Sequence, residues 1–107
     1  MKTIKTLPDY MSVGLSIPEG ADVSSAYIDS LYACIGSAYP DGLSLAQHRT
    51  LFNAMNRISA AIQAKAESLE LEDAEFSFLS NAVRSAKIPA ANNKAMVAIY
   101  NVFNLEG

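Results

Sequence analysis

Cys34, Asp41 and His48 are the residues whose types could combine into chemistry. A thiol activated by an imidazole, with a carboxylate orienting that imidazole, is a workable covalent arrangement. These residues flank a turn that joins two helical stretches. Cys34 falls on the apolar stripe of its helix, however, where a cysteine is a buried structural residue. One cysteine and one histidine fall short of a metal-ligand set. The acids Glu67, Glu70, Glu72, Asp73 and Glu75 form a cluster with no base among them, but they lack the ligand order and central glycine of a calcium loop. There is no glycine-rich phosphate loop, no Gly-x-Ser-x-Gly and no His-Glu-x-x-His. The sequence predicts no enzyme, no cofactor and no metal site.

What remains is contact chemistry. Residues 10–17, Tyr-Met-Ser-Val-Gly-Leu-Ser-Ile, alternate apolar and small polar side chains, with Pro8 and Pro18 at either end. That period of two predicts a strand with one buried face. A lone strand needs a partner for its backbone groups, and an extended segment can add to a neighbour with alternate side chains in pockets. Met11, Val13, Leu15 and Ile17 are the expected anchors. Tyrosine is enriched at interfaces, and Tyr10 and Tyr39, beside the arm and a turn, are expected contact residues. The acids Glu70, Glu72, Asp73 and Glu75 offer a second surface, for a basic partner. A third possibility is the start of the second helix, where Gln47, His48, Arg49 and Thr50 could read DNA bases.

Positioning these groups requires a helical body. The chain has 107 residues, enough for one domain, with 50% hydrophobic and 18% charged residues. The charged fraction is low for a small soluble domain, where about 25% is usual. The net charge is −3 and the bases are scattered, which makes nucleic acid an unlikely partner. No apolar run approaches the roughly 20 residues of a membrane span, and the first residues do not read as a secretory signal. A soluble, cytoplasmic protein is expected.

Asp22 is a reasonable cap for a first helix over about 23–38, with a stripe of Tyr27, Leu31, Cys34, Ile35 and Ala38. Tyr39-Pro40-Asp41-Gly42 is a turn. Ser44-Leu45-Ala46-Gln47 matches a capping box and starts a second helix, expected to reach about residue 67, with a seam of Leu51, Met55, Ile58 and Ile62. Leu69 and Leu71 alternate with acids, so residues 68–72 read either as a short strand, the best internal partner for residues 11–17, or as the acidic start of a third helix. That helix is expected over about 73–87, on a stripe of Phe76, Leu79, Val83 and Ala86. A fourth, over about 94–104, should dock onto the others.

The expected fold is thus all-α: a four-helix domain over residues 21–107, with a hairpin of the first two helices as its base, and an extended arm over residues 1–20 that holds at most one short strand. The function expected is non-enzymatic: an assembly or adaptor subunit that self-associates or joins a larger assembly through its arm. A small inhibitor that binds one protein through the acidic face is the alternative, and a helix-turn-helix DNA-binding regulator is the second. The layout of arm, compact helices and absent active site resembles small phage-encoded proteins, both virion accessory subunits and inhibitors of host machinery. That is a likeness of size and architecture; it implies a location in the host cytoplasm or the virion.

Overall fold

The computed structural model of the chain describes residues 1–18 and 20–104. Glu19, in the expected stop at the end of the arm, and residues 105–107 of the expected domain lie outside that range. The fold is mostly helical, but it is not purely all-α. Strand β1 (Lys2–Lys5) pairs antiparallel with β2 (Ser68–Leu71), placing Ile4 opposite Leu69. Ile4, Leu69 and Leu71 point inward, while Thr3, Lys5, Ser68 and Glu70 face solvent, as a period of two requires.

The strand over 68–71 forms as the alternation suggests, but its partner is residues 2–5. No strand forms over residues 11–17. Met11–Val13 is a single 3₁₀ turn closed by Gly14 at φ 80°, and residues 15–18 carry no regular structure. The cause is local. The Ser12 amide donates to Asp9 Oδ1 at 3.2 Å, the Ser12 hydroxyl donates to the Asp9 carbonyl at 2.8 Å, and the Val13 amide donates to the Tyr10 carbonyl at 3.3 Å. Such short-range bonds offer the backbone an alternative to a ladder.

Helix α1 (Val23–Ala38) starts at Asp22, whose carboxylate accepts the Ser25 hydroxyl at 2.8 Å and the Ser25 amide at 3.2 Å. These bonds hold the Asp22 carboxyl below its usual range. Gly42, at φ 95°, completes the turn, donating to the Tyr39 carbonyl at 3.0 Å. Helix α2 (Leu45–Gln63) carries the expected capping box: the Gln47 amide donates to Ser44 Oγ at 3.2 Å, and the Ser44 amide donates to Gln47 Oε1 at 2.8 Å. It ends earlier than the composition predicts. Lys65 turns left-handed at φ 56°, and the Ala66 amide donates back to the Ala61 carbonyl at 3.0 Å. That Schellman-type closure redirects the chain into β2.

Helix α3 (Asp73–Ser85) and helix α4 (Asn93–Val102, entered through a 3₁₀ turn at Ala90–Asn92) complete the order. The expected base, a hairpin of α1 on α2, is not what forms. Helix α3 is central and packs on both, while α1 and α2 have little direct contact with each other. The reason lies in the breadth of the buried face of α3, where Phe78, Leu79, Ala82 and Val83 serve neighbours on two sides. The core gathers around it: Tyr27, Leu31 and Cys34 from α1, Ala54 and Ile58 from α2, Ile4 and Leu71 from the sheet, Ile99 from α4, and Phe103 just beyond it. Among the described residues, no helix is long and apolar enough to cross a membrane.

Candidate functional site

The N-terminal anchors do not form one presented face. Tyr10 is buried; Val13 and Leu15 are half-buried; Ile17 is exposed at 37% and Met11 at 76%. The 3₁₀ turn lies on α4, where Lys94 Nζ donates to the Gly14 carbonyl at 3.4 Å. Tyr10, Leu15 and Ile17 also line a cleft of about 210 Å³, together with Val23 and Ala26 of α1 and Ala95 of α4. The segment therefore folds back over its own body. Tyr39 is half-buried, and its ring stacks on Phe78 at 5.5 Å between centroids.

The acidic residues divide in the same way. Glu75 is 3% exposed. Its Oε1 accepts the Glu72 amide at 2.8 Å and lies 3.1 Å from Arg57 Nε. Arg57 also reaches Glu72 Oε1 at 3.4 Å. Asp73 Oδ1 lies 3.3 Å from the Met1 backbone nitrogen. Glu70 stays exposed on β2. Much of the cluster thus caps α3 and tethers it to α2, as carboxylates at a helix N-terminus do.

The catalytic possibility gains no geometry. Cys34 is fully buried, its Sγ 4.0 Å from Met96 Sδ, and burial pushes its thiol up to about 11. A thiol in that state is a poor nucleophile. His48 and Asp41 are exposed. No group of three or more metal-ligating side chains occurs among the described residues.

A different surface emerges between α1 and α2. Because α3 holds these helices apart, an open groove of about 780 Å³ runs between them, lined by Tyr32 of α1 and by His48, Arg49, Leu51, Phe52 and Asn53 of α2. Tyr32 is 49% exposed, Phe52 is 66% exposed, and Leu45, one turn before His48 and Arg49, is 72% exposed. Leu45, Arg49 and Phe52 stand at i, i+4 and i+7, so they share one face of α2. Ala54, Met55 and Ile58 form its other, inward face, and Leu51, partly buried, lies between the two. Helix α2 therefore carries two apolar faces. The sequence held the signal, since Leu45 and Phe52 repeat over two turns, but Phe52 reads as a flank of the inner seam and Leu45 as part of the cap.

On the α2 wall the electrostatics are one-sided. Residues 42–66 contain no carboxylate, whereas the whole chain carries −3. Arg57 is tied to Glu72 and Glu75. Arg49 makes no ion pair among the described residues. The arrangement is an apolar, aromatic trough with Arg49 at its α2 edge. No protein-family model, curated protein or solved structure matches the chain.

Proposed function

We propose that this protein is a non-enzymatic binding subunit, an assembly or adaptor protein that acts by holding another protein on its α1–α2 groove. The observation that carries the reading is the exposure of Phe52 and Tyr32 in one groove, with Leu45 exposed on the preceding turns of α2, in a chain whose other large side chains mostly close a single core. A contiguous apolar surface rimmed by polar groups marks an interaction site, and aromatic residues and arginine are the types that carry interface energy. The N-terminal anchors support the reading less well, because Tyr10 is buried and the segment after it rests on α4. The acidic face is partly consumed by its own helix cap and by Arg57.

The test is site-specific photo-cross-linking in cells that express the chain. A benzophenone side chain at position 52 should trap a protein in a discrete adduct, and the same group at Ser85, exposed at the end of α3, should not. No adduct at position 52, or equal adducts at both positions, would refute the groove as the contact surface.

A further inference from the structure

We infer that the groove between α1 and α2 takes an acidic amphipathic helix from a different protein, with the helix's apolar stripe between Tyr32 and Phe52 and its carboxylates against Arg49. This rests on the groove being the contact surface.

Three observations select that occupant. The first is backbone chemistry. Both walls are helices whose interior N–H and C=O groups are already paired within the helix, so an extended peptide lying here would find no backbone partner on the protein and would depend on water for its hydrogen bonds. A helix brings its hydrogen bonds with it and offers an i, i+3, i+4, i+7 stripe to such a trough. The second is charge. The α2 wall holds Arg49 and His48, and no carboxylate lies between Asp41 and Glu67; the acid of α1, Asp29, stands a turn before Tyr32 and does not line the groove. An acidic helix meets a complementary field there, and a basic helix meets a like charge.

The third observation disfavours a second copy of this chain. Two α2 faces packed on each other about a two-fold axis would bring their cations into one interface, with no acid on that helix to offset them. The chain's own acidic stretch offers no apolar anchors either, because Leu69 and Leu71 of β2 are buried against β1 and α2. A nucleic acid fits no better. One arginine beside an aromatic trough, on a chain of net charge −3, lacks the cation density that phosphate binding needs.

The probe is a synthetic amphipathic peptide of about 18 residues, long enough to hold a helix, with leucine and tryptophan on one face and glutamate beside them. The control carries lysine in place of every glutamate. Binding to the full chain is read by fluorescence anisotropy and by amide shifts in NMR spectra. The glutamate peptide should move the signals of Tyr32, His48, Arg49 and Phe52, bind at least about tenfold more tightly than the lysine peptide, and weaken with added salt. Arg49→Glu should reverse the preference between the two peptides while leaving the circular dichroism spectrum unchanged.

Equal affinities for the two peptides, no binding of the glutamate peptide, or shifts confined to other surfaces would each overturn the inference. So would groove signals that move with the chain's own concentration or on adding duplex DNA. These failures are separable from failure of the groove itself. If position 52 still traps a protein when the glutamate peptide is ignored, the surface stands and the acidic-helix class falls.

Discussion

Replacing Ile4 by alanine should cost this protein about 3 kcal/mol, near the middle of the range for deleting a buried isoleucine side chain down to its β-carbon. Ile4 is 2% exposed, faces Leu69 across the sheet, and belongs to the same core as Leu71 and Leu79. Its removal loses the transfer free energy of three carbons and leaves a cavity that a two-stranded sheet can close only partly. Set against a total stability of about 5–15 kcal/mol, that is a large loss. With a urea dependence of about 1–3 kcal/mol per molar, the unfolding midpoint should fall by roughly 1–3 M. Met11→Ala and Ile17→Ala are the matched controls: both side chains are exposed, Met11 on the short 3₁₀ turn and Ile17 outside any regular element, and each should stay within about 0.5 kcal/mol of the parent. Urea titrations followed by circular dichroism would measure all three. An unchanged midpoint for Ile4→Ala, or an equal loss at Met11 or Ile17, would refute the assignment of the first residues to the core and restore residues 11–17 as the structural strand.

Removing Arg57 leaves Glu75 buried without its cation, so Arg57→Ala should destabilise by about 1–3 kcal/mol, a value kept low because solvent reaches the arginine. Adding Glu75→Gln should recover part of that loss in a double-mutant cycle, and additive losses would show the contact to be incidental. Burial raises the hydroxyls of Tyr27 and Tyr10 and lifts the Cys34 thiol from 9.0 to about 11. A raised folded value means the unfolded chain loses its proton first as pH rises. The Cys34 contribution is therefore intact below pH 9.0 and is lost progressively between pH 9.0 and about 11, at a slope of about 1.4 kcal/mol per pH unit for one proton. Cys34→Ala should flatten the alkaline fall in urea midpoint, and parallel curves for the two chains would show that the thiol does not drive it.

Helix positions were legible where local chemistry sets them. Asp22 and Ser44 with Gln47 cap α1 and α2 as their residue types require, and Pro40 with Gly42 marks the turn between them. Leu69 and Leu71 announced β2. Its partner was hidden because Lys2-Thr3-Ile4-Lys5 holds one inward apolar residue, too short a pattern to show a period. The stronger alternation at 11–17 misled, because the Asp9–Ser12 bonds, which depend on conformation, captured that segment. The groove was hidden for a tertiary reason. Whether Phe52 is core or surface depends on α3 wedging between α1 and α2, and no pattern within α2 records the position of α3.

That wedge also sets an order of events at the ribosome. Helices α1 and α2 leave the exit tunnel first, but each has little to pack on until α3 follows. The first strand waits as well, since Ile4 finds Leu69 only once β2 has emerged. Closing so long a loop is entropically costly before its contacts exist. Until β2 and α3 emerge the nascent chain therefore holds uncovered apolar stripes, the kind of surface that chaperones bind, and its core forms around α3 rather than helix by helix.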